Sequence, residues 1–302
     1  MTTTLEEVDD LVGADRPDRP FYDTGVLLDR DDFRDEQTYH RARLARALAY
    51  LAGAGTLVGL KVEVAATTAD GSAHEVKVNP GLAIDRLGRI VEVPRAWCLR
   101  LEPWFAAQTA DALRAAHGAQ GVVADLFVRF VAVARGRTPS FAQGAFDATD
   151  ALVPNRLRDA FRFDLVLRPD ARTAPATDFL PRSRFDAVRL LDPAARAAAV
   201  RDALLEGWSE ANAHGHDLAR PDGQALPPLA EHGVSADGSA SLADPSALFL
   251  ARLRIPTVQT PEAVPPGARP DPDFAALDPS RIDNRSRAFA APADALAAVF
   301  GI

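Results

Sequence analysis

Residues 55–93 are divided by glycine and proline into stretches so short that they favour β-hairpins. In residues 58–64, valine and leucine alternate with glycine, lysine and glutamate, the two-residue period of a strand with one buried face. Turn signals occur at Asp70-Gly71, Pro80-Gly81 and residues 85–88. We expect Asp85 to accept backbone hydrogen bonds across the last of these turns. The predicted meander has strands at 58–64, 74–78, 82–84, 89–93 and 96–101.

An amphipathic helix precedes the meander, over residues 31–52. Asp29 or Asp31 is placed to cap its start, and Gly53 and Gly55 end it, because glycine accepts the left-handed conformation of a helix stop. Its large side chains recur at steps of three or four and therefore share one helical face. These residues are Phe33, Gln37, His40, Leu44, Leu48 and Leu51.

The later sequence alternates between strand patterns and loops. Residues 121–134 are apolar on both faces, which predicts a central strand. Strands are also predicted at 161–168 and 249–255, and a helix opens at Asp192-Pro193, with proline at its favoured first position. We expect short helices at 103–117 and 293–300, and an extended proline-rich segment at 256–279.

Together these patterns predict a mixed α+β protein. Its β-rich core is a sandwich or a barrel-like meander of short hairpins, packed by two or three helices and carrying long loops. Four regions are expected. They are an extended N-terminal arm at 1–20 that could pack on a neighbour, a helix and β-meander core at 21–134, a loop-rich insertion with one strand and one helix at 135–247, and a late strand, proline-rich segment and C-terminal helix at 248–302.

Composition excludes several functional classes. The 302 residues carry a net charge of −8, whereas a nucleic-acid-binding protein usually shows a basic excess. No apolar run approaches the roughly 18 residues that a membrane helix needs. Cys98 is the only cysteine, so no intrachain disulfide can form, and its neighbours Trp97 and Leu99 favour core packing for it.

Candidate chemistry is sparse, and each candidate has a simpler interpretation. His214, His216, Asp217 and His232 do not match the spacing of a closed metal site, so a solvated loop is favoured. His40 is either a general base or, as we favour, a partly buried structural histidine. Two pairs of carboxylates are candidates for glycoside cleavage, although we favour a role in turn formation for both pairs. They are Asp147 with Asp150, and Asp278 with Asp283. No motif for a serine nucleophile or a phosphate-binding loop occurs, so we predict no catalytic residue, cofactor or metal.

Two stretches of the chain carry a family resemblance. About 75 residues match well, and about 40 more match weakly, in the late strand and beyond. The motifs are Tyr22 with Gly25-Val26-Leu27-Leu28, Asp32-Phe33, Glu36-Gln37, Tyr39-His40, Gly55 with residues 58–62, residues 78–85, Gly88-Arg89, residues 250–253 and residues 283–287. On these motifs the chain resembles proteins of phage-tail-like gene clusters, from contractile injection systems and their baseplate or tail-fibre-attachment modules.

The resemblance implies a structural, non-enzymatic subunit at a baseplate, tail tip or fibre attachment. Its partners would be other subunits of the assembly, with multiple copies in the particle and no nucleic acid. It would be cytoplasmic and assembled into a particle that can be released. The alternative is a carbohydrate-binding or carbohydrate-cleaving tail module. The aromatic content of 7% argues against that alternative.

Five residues are candidates for interaction with such partners. Tyr22 lies in the loop before the first helix, and Phe33 lies in its first turn. Arg281, Arg285 and Arg287 form a basic cluster that either grips an acidic partner surface or, as we favour, is a solvated charged loop.

Overall fold

A computed structural model describes residues 6–7, 11, 18–66, 74–139, 152–168, 187–206 and 246–290. Within these ranges the fold is mixed α+β, with antiparallel sheets and four α-helices. The elements in chain order are β1 (Glu6–Glu7), α1 (Arg30–Leu51), β2 (Gly55–Gly59), β3 (Val62–Ala66), β4 (His74–Val78), β5 (Gly81–Ile84), β6 (Ile90–Val93), β7 (Trp97–Arg100), α2 (Leu101–Ala107), α3 (Ala110–Ala115), β8 (His117–Gly118), β9 (Gly121–Arg135), β10 (Thr138–Pro139), β11 (Leu152–Val153), β12 (Arg156–Leu167), α4 (Pro193–Glu206), β13 (Leu248–Ile255) and β14 (Ile282–Asp283).

Helix α1 starts and stops close to the predicted residues. The Asp29 side chain accepts hydrogen bonds from the backbone N–H groups of Asp31 and Asp32, and the Asp32 carboxylate accepts one from the Asp29 N–H, which completes a capping box. Gly53 follows the helix with a left-handed φ of 74°, as the sequence predicts.

The meander forms two three-stranded sheets, in the orders β2-β5-β6 and β3-β4-β7. The single strand predicted at 58–64 is wrong, because the backbone turns at Gly59 (φ 69°) and Leu60 (φ 55°) and sends β2 and β3 into different sheets. A Cβ on Gly59 would lie 2.1 Å from the Pro80 carbonyl oxygen, so only glycine fits there.

The largest sheet is built around β9, as its apolar sequence predicts. Strand β12 pairs with one edge of β9 along residues 124–135, and β13 pairs with the other edge along residues 122–128. Residues 121–132 of β9 are buried. Strand β1 continues the β13 edge at Ala132 and Val133, so this piece of the N-terminal arm pairs with its own chain.

A single apolar cluster joins the small sheets to the large one. It includes Val62 and Val76 from the small sheets, and Leu126 and Leu250 from the large sheet. The ring centroids of Trp97 and Phe163 lie 4.7 Å apart across this junction. Because residues from the small sheets and the large sheet share this cluster, it forms one continuous hydrophobic core.

The segment after β13 differs from the extended conformation predicted for 256–279. It contains short 3₁₀ turns at Pro261–Ala263 and Phe274–Ala276, and another follows at Pro279–Arg281. Helix α4 begins at the predicted Pro193, whereas the helix predicted at 293–300 lies outside the described residues.

Candidate interaction surface

The inner side of α1 consists of small side chains. Thr38, Ala42 and Ala45 are buried, at steps of four and three, and Leu11 from the N-terminal arm packs against the two alanines. The turn at 85–88 approaches so closely that a Cβ on Gly88 would lie 1.7 Å from the Ala45 carbonyl oxygen. Small residues are therefore required on this side of the helix, because larger ones would push it off the β-turn.

The large side chains of α1 point away from the body of the protein. Phe33 is 51% exposed, Leu44 is 57% exposed and Leu51 is 86% exposed. Gln37, His40 and Ala47 are also exposed. The helical face that the sequence picks out therefore faces solvent, except for Leu48, which is half-buried. We call the six exposed positions the outer face of α1: Phe33, Gln37, His40, Leu44, Ala47 and Leu51.

The segment before α1 extends this apolar surface. Phe21 is 79% exposed and Leu27 is 95% exposed. Among the described residues, eighteen large apolar side chains are exposed, and nine of them lie between Phe21 and Leu51. This concentration within one-tenth of the chain distinguishes the region from singly scattered apolar residues, which are normal on any protein.

Tyr22, a predicted interaction residue, is linked to α1 by a hydrogen bond. Its hydroxyl donates to Oε2 of Glu36 at 2.5 Å. This hydrogen bond to the carboxylate raises the pKa of Tyr22 to about 12, because the bond is lost when the phenol ionises. The bond fixes the segment before the helix against its second turn, beside Phe33.

The basic cluster predicted near the C-terminus is divided by the structure. Arg285 is exposed, and Arg281 donates to the carbonyl of Gln120 at 3.3 Å. Arg287 is only 5% exposed, and burial lowers its pKa to about 10. Its guanidinium donates to the carbonyls of Leu60 and Asn284. Arg287 is therefore a buried structural residue, and the prediction that it contacts a partner is not supported by its position.

Residues 282–290, which include Arg285 and Arg287 of that cluster, bind both small sheets. The Asn284 side chain donates to the Val62 carbonyl and accepts from the Val62 N–H, each at 2.9 Å. Thr56 of β2 forms a two-hydrogen-bond parallel bridge around Phe289, through Ala288 and Ala290. We call residues 282–290 the C-terminal strap. The sequence marks this segment as a motif but gives no sign of its role as a strap.

The carboxylates considered for glycoside cleavage are turn formers where the structure describes them. Asp278 accepts from the N–H of Ser280, and Asp283 accepts from the N–H groups of Arg285 and Ser286. At Asp278 the Ser280 hydroxyl and these backbone donors lower the pKa of the carboxyl group. At Asp283 burial raises the pKa, but the Ser286 hydroxyl and the backbone donors outweigh it, so the pKa is lowered there too. Asp147 and Asp150 lie outside the described residues.

The remaining candidates for chemistry have unremarkable surroundings. His40 is exposed, with its ring edge-on to Tyr39, so the expectation of a partly buried histidine is wrong. His214, His216, Asp217 and His232 lie outside the described residues. In the described ranges, no group of three or more His, Cys, Asp or Glu side chains is placed to hold a metal ion. The same ranges contain no helix with the length and apolarity to span a bilayer.

Cys98 contradicts its predicted place in the core. The sequence pattern in residues 96–101 indicates a strand correctly, but Cys98 lies on the outward side of β7 and is exposed. Strand residues alternate between faces, and here Trp97 and Leu99 take the inward positions, packed against the core. The prediction for Cys98 is therefore wrong because the register of β7 places it on the outward face.

Buried charges, which the sequence does not reveal, hold the large sheet together. Arg252 of β13 donates twice to the Asp125 carboxylate of β9, at 2.8 and 2.9 Å, and Nη1 of Arg168 lies 3.7 Å from the same carboxylate.

A second buried ion pair lies in the turn at 85–88. Asp85 accepts from Arg89 at 2.7 Å and from the backbone of its turn, as predicted. Burial raises the pKa of Asp85, and the Arg89 guanidinium opposes that shift.

Comparison with known proteins does not assign a family. No protein-family model matches the chain, and no curated protein matches it.

Proposed function

We propose that this chain is a structural, non-enzymatic subunit of a contractile phage-tail-like particle, at the baseplate, tail tip or fibre attachment. It acts through protein–protein contacts with other subunits and is present in multiple copies. Assembly takes place in the cytoplasm, and the particle can be released. The observation that carries this proposal is the exposed apolar surface of residues 21–51, which lies on a helix held rigidly by the body of the protein.

Such a surface is costly for a protein that works alone. Apolar area stabilises a protein or a complex only when it is removed from contact with water. Contiguous apolar patches that stay exposed therefore mark interaction sites. Aromatic residues are enriched in protein interfaces, and Phe21, Tyr22 and Phe33 supply them here. The helix needs no rearrangement before it binds, because its inner side already contacts the turn at Gly88.

The family resemblance points to the same region. Its motifs begin at Tyr22 and include Phe33, Gly88 and Asn284. Gly88 and Asn284 hold the body together, while Tyr22 and Phe33 lie at the exposed surface. A rigid unit that presents one fixed apolar face suits a subunit that must keep register in a symmetric assembly.

The test is to purify the intact particle from the native host and to quantify this chain by mass spectrometry. We expect the chain at a fixed multiple of the tail symmetry. The Leu44→Glu variant should be lost from particles, because it places a charge at the centre of the apolar surface. Leu157→Glu is the matched control, since Leu157 is 58% exposed against 57% for Leu44 but lies on β12.

Two results would contradict the proposal. One is the absence of the chain from particles whose other subunits are present. The other is hydrolysis of a polysaccharide by the purified chain that is lost when one carboxylate is replaced, which would favour a carbohydrate-cleaving module.

A further inference from the structure

The outer face of α1 follows a heptad repeat. Its six residues are separated by steps of four, three, four, three and four, which is the spacing of the a and d positions of a coiled coil. Gln37, Leu44 and Leu51 take the a positions, and Phe33, His40 and Ala47 take the d positions. All six are exposed in the part of the chain that the structure describes, so the seam is accessible to a partner helix.

The body of the protein lies on the opposite side of this helix. The buried residues Thr38, Ala42 and Ala45 take the b and f positions of the same heptads, which point away from the a and d seam. A second helix can therefore lie along the outer face while each body remains on its own outer side.

The charges beside the seam discriminate between two possible orientations of a paired copy. Glu36 takes a g position and Arg41 takes the following e position. In a parallel pair, g of one helix meets the next e of the other, so Glu36 meets Arg41 twice across the interface. In an antiparallel pair whose a and d residues pack in common layers, e positions meet e positions and g positions meet g positions. Arg41 then meets Arg41 and Arg43 meets Arg43, and these like charges repel.

We infer that α1 pairs in parallel and in register with α1 of a second copy of this chain. This inference rests on the proposed function, in which the outer face of α1 contacts another subunit of the assembly. Here that subunit is a second copy of the same chain. Gln37 supplies a polar layer, which fixes register at a cost in stability. The pair is therefore weak in isolation and gains strength when other contacts in an assembly raise the effective concentration.

The first experiment exchanges the flanking charges and measures the purified chain by sedimentation velocity over a concentration series. Glu36→Arg and Arg41→Glu each place like charges across the parallel pair and should weaken association by on the order of tenfold. The double variant restores two opposite-charge pairs but not the Tyr22 hydrogen bond to Glu36, so it should recover most of the lost association. Ala47→Leu should strengthen it about tenfold, because leucine is favoured at d positions of parallel two-stranded coils.

The second experiment tests the orientation by disulfide formation. Leu44→Cys in a Cys98→Ser background leaves one thiol at an a position. In a parallel pair in register, the two introduced thiols face each other and should be oxidised to a disulfide-linked dimer. Asp35→Cys in the same background is the matched control. Residue 35 takes an f position away from the seam, so this variant should form no disulfide-linked dimer. Circular dichroism checks that every variant keeps its fold.

Several outcomes would overturn the inference. They are a single-chain mass at all concentrations, association unchanged by either charge reversal, or equal cross-linking through residues 35 and 44. If the purified chain is monomeric but Leu44→Glu still blocks entry into particles, the outer face binds a different subunit. Self-pairing then fails while the proposed function stands.

Discussion

Nη1 of Arg287 donates a 2.7 Å hydrogen bond to the carbonyl oxygen of Leu60, which lies 227 residues earlier in the chain. Leu60 has a left-handed backbone conformation at the point where β2 and β3 part into separate sheets. A leucine in that conformation is strained by roughly 1–3 kcal/mol. The C-terminal strap thus stabilises the strained residue on which the division of the meander depends.

Replacing Arg287 by alanine should destabilise the fold by about 2–4 kcal/mol. The substitution removes the donor to the Leu60 carbonyl and those to Asn284. Urea unfolding followed by circular dichroism measures the change. Arg285→Ala is the control, because Arg285 is exposed in the same strap, and its free energy of unfolding should change by less than about 0.5 kcal/mol. Equal effects of the two variants would show that the strap contributes little.

Asp125→Asn should cost about 3–5 kcal/mol of unfolding free energy, because it removes the carboxylate shared by Arg168 and Arg252 in a buried site. The side chain keeps its size, so the loss reports charge and hydrogen bonding. The same substitution at Asp159, an exposed residue of β12, should be nearly neutral. Thermal and urea unfolding of both variants give the comparison, and a neutral Asp125→Asn would refute the role assigned to the buried charges.

Gly88→Ala should be far more harmful than Gly25→Ala, although both glycines have a positive φ, of 84° and 87°. Each substitution strains the backbone by about 1–2 kcal/mol. Only at residue 88 does the new Cβ also collide with the backbone of α1, whereas nothing lies within 4 Å at residue 25. We expect a further loss of about 1–3 kcal/mol for Gly88→Ala. Unfolding by urea separates the two, and similar losses would mean that α1 is not held closely against the turn.

The pH dependence of Tyr22 tests its hydrogen bond with Glu36. The folded-state pKa of about 12 lies above the unperturbed value of 10.0. The hydrogen bond therefore contributes stability below pH 10, and the contribution is lost as the pH rises through the folded-state pKa. In an ultraviolet absorbance titration of the three tyrosines, Glu36→Gln should move one ionisation step back towards pH 10. Glu92→Gln, at an exposed site on β6, should leave the titration unchanged, and no difference between the variants would contradict the bond.

Local patterns in the sequence predict much of the secondary structure. The boundaries of α1 follow from Asp29 and Gly53, because caps and stops depend on neighbouring residues alone. The central place of β9 follows from its two apolar faces. The candidate residue Tyr22 also has the exposure that an interaction residue needs.

Tertiary packing accounts for what the local patterns leave open or predict wrongly. The amphipathic pattern of α1 identifies a face, but the close approach of Gly88 requires small residues on the inner side and turns the large ones outward. Arg287 is buried because the strap carries it to Leu60, a contact between distant parts of the chain that no local pattern encodes. Cys98 is exposed because the register of β7 places Trp97 inward.

The position of β13 in the chain has a consequence for biosynthesis. The ribosome delivers β9 well before its partner at Leu248–Ile255, so Val122–Val128 emerge with one hydrogen-bonding edge unmatched. An unmatched apolar edge is prone to mispairing with other nascent chains. Because β13 and the strap are translated after the other strands of the large sheet, the sheet is completed only once they emerge, and a polypeptide interrupted earlier would expose that edge to chaperones and proteases.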